Sequence, residues 1–298
     1  MFTARKLTLA IAITGLLSTP LLAATPNAQP VRILASLPIT YGLSDLLLKD
    51  TGVTLERAAA ANLPGSRQSA YFSGRGAPVL QKLAENADAV VGLRSLWRDD
   101  PLYPMARRSN IRIVEVDAAR PVDGSLPGIA VQPAVHRDGL NSQPWLASNN
   151  MGRMADVIAA DLVRLAPAAK PRIEANLANL KQRLLNLSAH SEAQLAKADN
   201  LSVVSVSDRL DYLISGLNLE RIDVTHQGDE PWTPEALKAL TLTLKDNEVA
   251  LVLDHREPSP ELKSAIAEGG SQFVVVNADG ADPVAELQAT VQAIVNAL

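Results

Sequence analysis

Short apolar runs alternate with stretches of helical periodicity along this chain, and one long helical stripe interrupts the alternation near its middle. The runs are 31–37 (VRILASL), 87–92 (ADAVVG), 111–116 (IRIVEV), 201–206, 249–254 (VALVLD) and 272–277 (QFVVVN), with a weaker one at 53–59 and a short one at 221–224. Helical patterns at 41–49, 78–86, 101–109, 209–216, 233–246, 259–268 and 282–298 separate them. Strand and helix in alternation demand a mostly parallel sheet with helices on both faces, because each crossover must return over the sheet. The central stripe consists of Ile173, Leu177, Leu180, Leu184 and Leu187, at spacings of four, three, four and three. It predicts one helix face running to residue 198, about 27 residues or about 40 Å at 1.5 Å per residue. The fold class is therefore α/β: two α/β lobes joined by one long rigid helix, with a ligand cleft between the lobes at the strand C-terminal ends. The segment 117–142, rich in proline and glycine, reads as an ordered loop.

The N-terminus follows a different logic. Arg5 and Lys6 precede an apolar stretch from Leu7 to Leu22, then small residues at Ala23 and Ala24. That pattern predicts a secretory signal peptide over 1–24, too short and too proline-broken at Pro20 for a membrane span. The expected division is then signal 1–24, N-terminal lobe 30–147, helical connector 148–199 and C-terminal lobe 200–298. Arg5 and Lys6 leave with the signal, so 28 basic residues become 26 against 32 acidic ones, a net of −6. Such a charge offers no basic excess for nucleic acid. After signal removal no stretch is expected to insert in a membrane, and the expected compartment is the periplasm.

Four stretches carry a family resemblance. Pro64-Gly65 followed by Tyr71 stands where a Pro-Gly-x-Asp-Pro-His-x-Tyr pattern would; Gln143-Pro144-Trp145-Leu146 is similar to His-x-Trp-Leu. Ser207-Asp208 with Tyr212, Gly216 and Leu219 is similar to His-Asp-x-Phe-x-Tyr before a Gly-Leu pair, and Glu230-Pro231 with Pro234 and Leu237 to Glu-Pro-Ser-Pro-x-x-Leu. In this order the chain from Val31 to Leu298 resembles the periplasmic solute-binding proteins of zinc- and manganese-importing ABC transporters. The resemblance implies two α/β lobes on a rigid helix and delivery of ligand to an ABC transporter permease. It also implies a metal site of three histidines, or two and a glutamate, plus a C-terminal aspartate. Here those positions hold Ser69, Gln143, Ser207 and Asn277, all neutral.

Hydroxyl and amide oxygens are poor donors for first-row divalent metals. The chain has no cysteine and only four histidines, none at a family ligand position. Asp208 and Asp254 supply one ligand or two, not four, and Asp254 and His255, with His226, are weak candidates for a makeshift metal site. Arginines gather instead: Arg67 and Arg75 beside Tyr71 and Phe72 on a glycine-bearing loop, Arg94 and Arg98 flanking Trp97, then Arg209 and Arg256. Guanidinium forks suit carboxylates, phosphates and hydroxamates. The expected ligand is an anionic small molecule or a metal chelate such as a ferric siderophore, whose chelator brings the metal's ligands. The expected contacts are Arg67, Ser69, Tyr71, Arg75, Gln143, Ser207, Asp208, Arg209 and Asp254. No cofactor is expected to be tightly bound, beyond a metal ion carried within a chelate. Two alternatives stay open: direct Zn, Mn or Fe binding through a rearranged ligand set, and an accessory protein that docks a second periplasmic binding protein. G-x-S-x-G, H-E-x-x-H, Walker and G-x-G-x-x-G signals are missing in the right context, so no enzymatic activity is expected.

Overall fold

A computed structural model describes residues 30–122, 124–133, 140–141, 143–225, 231–277 and 280–298. The signal segment 1–24, His136, His226 and Glu230 lie outside the described residues.

The first lobe runs β1 (Arg32–Ala35), α1 (Pro38–Leu48), β2 (Thr54–Arg57), α2 (Gly65–Ser73), α3 (Ala77–Glu85), β3 (Ala89–Gly92), α4 (Leu102–Ala106) and β4 (Val114–Asp117). Two helices follow, α5 (Ser148–Leu165) and α6 (Lys170–Leu195). The second lobe runs β5 (Ser202–Ser205), α7 (Asp211–Gly216), β6 (Glu220–Arg221), α8 (Pro234–Asp246), β7 (Leu251–Asp254), α9 (Pro260–Glu268), β8 (Gln272–Val275) and α10 (Pro283–Ala297). The sheets have orders β2-β1-β3-β4 and β6-β5-β7-β8, all parallel. In each, the chain reverses direction across the sheet between its first and third strands. A crevice opens at such a switch point, outside the strand carboxyl ends.

Alternation along the central strands builds the core. Ile33 and Ala35 of β1 face inward with Val91 of β3, and Val203 of β5 faces inward with Leu251 and Leu253 of β7. All join one buried cluster with Ile158 of α5, Leu180 and Leu184 of α6, and Val291 of α10. Leu34, Val90 and Leu80 form a separate outer layer in the first lobe, as Val204, Val252 and Leu240 do in the second. The helix pair is thus a spine whose apolar faces seal the inner face of both sheets. Its polar residues pin the lobes too. Asn176 donates from Nδ2 to the Leu47 and Lys49 carbonyls at 2.9 and 2.8 Å, closing the C-terminal end of α1. Arg183 meets Asp282 at 2.8 Å, and Asp282 caps α10 by accepting from Val284 and Ala285.

Several elements differ from the sequence expectation. Residues 66–76, expected as a loop, begin as helix α2. Gln68 stands where the resembling pattern has proline, and glutamine supplies the backbone N–H that a helix interior needs. Gln68 and Phe72, four apart, form the buried face of α2. The strand expected at 111–116 starts only at Val114, and Ile111 is 76% exposed. Asn110 is the reason: Nδ2 donates to the Ala84 and Ala87 carbonyls while Oδ1 accepts from the Arg112 N–H, a turn that delays the ladder. The strand expected at 221–224 is the two-residue β6, Glu220–Arg221. Among the described residues no helix is long and apolar enough to cross a membrane.

Candidate functional site

The carboxyl ends of the two sheets approach one another around α1 and the start of α5. A Cβ on Gly42 of α1 would fall 2.9 Å from the Ala281 carbonyl oxygen and 2.7 Å from the Pro283 ring, both just past β8. From the end of β4 the chain crosses to the β5–α7 turn. There the Gln132 N–H donates to the Tyr212 hydroxyl at 2.8 Å, and burial pushes that phenol above its ordinary pKa.

On the first lobe, β1 ends at Ser36, whose carbonyl accepts from Gln68 Nε2 at 3.1 Å. Both residues are buried, and Ser36 Oγ and Gln68 Oε1 find no partner among the described residues. Trp145 Nε1 is likewise buried without a partner, while its ring packs edge-on to Trp97 with centroids 5.9 Å apart. Arg67 and Ser69 lie on the exposed face of α2, and Tyr71 is half-buried. The Arg75 guanidinium sits 5.6 Å from the Tyr71 ring centroid. That ring lies so close to Gly76 that a Cβ there would be 2.3 Å from it, so glycine makes room for Tyr71.

The β3–α4 turn is held by carboxylates. Asp100 accepts from the Leu93 and Leu102 N–H groups at 2.8 and 3.1 Å, and Asp117 accepts from the Ser95 N–H and hydroxyl at 2.7 and 2.8 Å. Burial raises the Asp100 carboxyl above its ordinary pKa, opposed by the two backbone hydrogen bonds. Arg94 of this turn makes a two-pronged pair with Glu115 at 2.7 and 2.8 Å and lies over Tyr103. Its fork is therefore engaged within the lobe. Arg98 is exposed.

On the second lobe, β5 and β7 are neighbours across the switch point. Just past their ends, Ser207 Oγ lies 2.9 Å from His255 Nδ1, and Asp254 Oδ1 also lies 2.9 Å from that nitrogen. A nucleophilic relay needs serine and carboxylate on opposite ring nitrogens. Here both meet the same one, so the trio is not built for acyl transfer. Arg209 is half-buried, its N–H donating to Ser207 Oγ at 3.3 Å, and Arg256 is exposed.

Gln143 joins this side through Asn141, which is 0% exposed. Asn141 Nδ2 donates to the Asp208 carbonyl and to Asp211 Oδ2, each at 2.9 Å, and Oδ1 accepts from the Gln143 N–H at 3.3 Å. Arg221 balances the Asp211 charge.

The structure thus gathers Ser207, Asp208, Arg209, Asp254 and His255 with Gln143, and holds Arg67, Ser69, Tyr71 and Arg75 as a separate group on α2 and the turn after it. No hydrogen bond or ion pair joins Arg67, Ser69 or Arg75 to the second group. Asn277, just past β8, is exposed. Sequence reasoning missed Gln68 and Asn141, the buried amides that hold the two groups in place. The only sequence signal for either was its position beside a residue already singled out.

The profile of a family described as zinc-uptake complex component A, periplasmic (ZnuA), matches residues 80–297. No curated protein sequence matches the chain. A crystal structure of ZnuA superposes with a TM-score of 0.70 at 22% identity, covering 90% of this chain and 98% of that one. FpvC from Pseudomonas aeruginosa, in complex with Ni²⁺, gives 0.68 at 21% identity, covering 90% and 96%. A manganese-bound periplasmic metal-binding protein from Candidatus Liberibacter asiaticus gives 0.69 at 15%, covering 89% and 98%. At these identities the structural likeness speaks for the fold alone.

Proposed function

The chain belongs to the ZnuA family of periplasmic zinc-uptake components, and on that premise we propose that it captures an anionic metal chelate of the ferric-siderophore class rather than a bare ion. Proteins of this family are periplasmic substrate-binding components of metal-importing ABC transporters, not enzymes. In this reading the signal segment 1–24 exports the chain and the two lobes present the loaded ligand to an ABC permease.

One observation carries the choice of ligand. The resemblance implies metal ligands where Ser69, Gln143, Ser207 and Asn277 stand, all neutral, and among the described residues no group of three His, Cys, Asp or Glu is placed to hold a metal. Zinc is held by thiolate, imidazole and carboxylate, and hydroxyl and amide oxygens are much weaker donors to it. The exposed guanidiniums of Arg67 and Arg75 and the half-buried Tyr71 offer charge-assisted forks and a flat apolar face instead.

The zinc, nickel and manganese held by proteins of the same fold favour a second reading, direct capture of a bare ion through other ligands. Tryptophan fluorescence separates the two, since Trp97 and Trp145 pack together beside α2. Titration of the mature protein with anionic ferric siderophores should give saturable quenching. Arg67→Ala and Arg75→Ala should each weaken it about tenfold or more, the scale of a lost charged hydrogen bond. No response to any anionic chelate, together with tight EDTA-reversible Zn²⁺ binding, would establish the second reading instead.

A further inference from the structure

His255 is held as a metal-binding imidazole is, and among the described residues no group of three His, Cys, Asp or Glu includes it. Its ring is fixed along one edge by two residues from two adjacent strand ends, Ser207 and Asp254, each 2.9 Å from Nδ1. Both are buried. Asp254 is itself oriented, with Oδ1 accepting from the His255 backbone N–H at 2.6 Å. A carboxylate oxygen so close repels a lone pair on Nδ1. The neutral ring therefore carries its proton on Nδ1, with Ser207 Oγ as acceptor, and its lone pair on Nε2. Nε2 makes no hydrogen bond among the described residues, and the side chain keeps 20% of its surface open beyond the carboxyl ends of β5 and β7. A ligating histidine is usually oriented by a hydrogen bond from its other ring N–H; here the Ser207 hydroxyl accepts that bond while the Asp254 carboxylate lies 2.9 Å from the same nitrogen.

One imidazole cannot retain a bare divalent ion, and no second or third His, Cys, Asp or Glu stands with this pair among the described residues. It can fill one vacancy on a metal whose other positions a chelator already occupies. We propose that His255 Nε2 binds directly to the metal of an incoming chelate, so that the cleft selects chelates with an open coordination position over saturated ones. In the exchange the Nε2–metal bond forms, a metal–water bond breaks and the water leaves. The imidazole stays neutral and no electron moves.

This inference rests on the chelate reading, and two anionic probes keep the failures apart: nickel nitrilotriacetate, with two water-filled positions, and nickel EDTA, with none. Calorimetric titration of the mature protein should show nitrilotriacetate binding at least about tenfold tighter than EDTA. His255→Gln should erase that preference while leaving the nickel EDTA affinity, and hence the fold, unchanged. His190→Gln, an exposed histidine on α6, should keep the preference. Asp254→Asn, which removes the orienting charge, should weaken nitrilotriacetate binding about tenfold. In wild-type protein labelled with ¹⁵N-histidine, nickel nitrilotriacetate should shift the His255 Nδ1–H signal by hyperfine contact, a readout that needs no variant. Equal binding of both probes, with His255→Gln without effect, would overturn the inference and leave the chelate reading standing. A preference lost in His190→Gln would overturn it as well. Failure of both probes and of ferric siderophores would remove the chelate reading and the inference with it.

Discussion

The two lobes share a strand order yet present different chemistry at the same topological point. Past the ends of β1 and β3 stand Ser36, Arg94 and Trp97, with α2 adding Gln68, Arg67 and Tyr71. Past the end of β5 stand Ser207, Asp208 and Arg209, and β7 closes on Asp254 with His255 and Arg256 after it. Parallel crossovers decide where a crevice forms, because strand ends and their turns converge there whatever the side chains are. Which residues occupy the turns is free to change, since they contribute little to the sheet ladders. Repetition of one topology thus places an aromatic-bearing turn with α2 at one switch point and a cluster of hydroxyl, carboxylate and imidazole, with Arg209 and Arg256 beside it, at the other.

The strongest challenge to this comparison strikes the spine. If α5 and α6 make one core of both lobes, Leu180→Ala should cost about 2–5 kcal/mol and lower a single thermal transition. Calorimetry resolving two transitions, only one of them shifted, would mean that the lobes fold independently. Next in size is the bridge between the crossing segment and the second lobe. Asn141→Ala strips partners from the Asp208 carbonyl and the Asp211 carboxylate, and should cost about 1–3 kcal/mol in urea unfolding. A loss under half a kcal/mol would make that bridge incidental. The smallest effect sharpens the contrast among arginines. Arg94 is engaged by Glu115 at a partly exposed pair, so Arg94→Ala should change stability by about 0–1 kcal/mol and leave chelate affinity unaltered. A loss of affinity equal to that of Arg67→Ala would show that Arg94 faces the ligand as well.

Legibility differed between the fold and the site. Parallel strands buried on both faces write themselves as continuous apolar runs, and β3 and β7 (AVVG, LVLD) were plain for that reason. The stripe from Ile173 to Leu187 announced α6 because one face of a helix must recur every three to four residues. Helix α2 was hidden, since its only buried positions are Gln68 and Phe72 and its other residues carry little apolar signal. The late start of β4 was hidden as well. A side-chain turn at Asn110 competes with the ladder, and hydropathy does not register it.

The sequence by itself determined that two parallel α/β units flank a long helix, and it sets the neutral residues Ser69, Gln143, Ser207 and Asn277 where the family resemblance implies metal ligands. Local periodicity suffices for the first, and the motif resemblance carries the second. Only the tertiary structure decided that Ser207 and Asp254 share one nitrogen of His255, that Asn141 ties Gln143 to Asp208 and Asp211, and that Arg94 is spent on Glu115. Ser207 with His255, Asn141 with Asp208 and Asp211, and Arg94 with Glu115 are far apart in the chain, and sequence spacing carries no record of which strand ends the sheet order will set side by side.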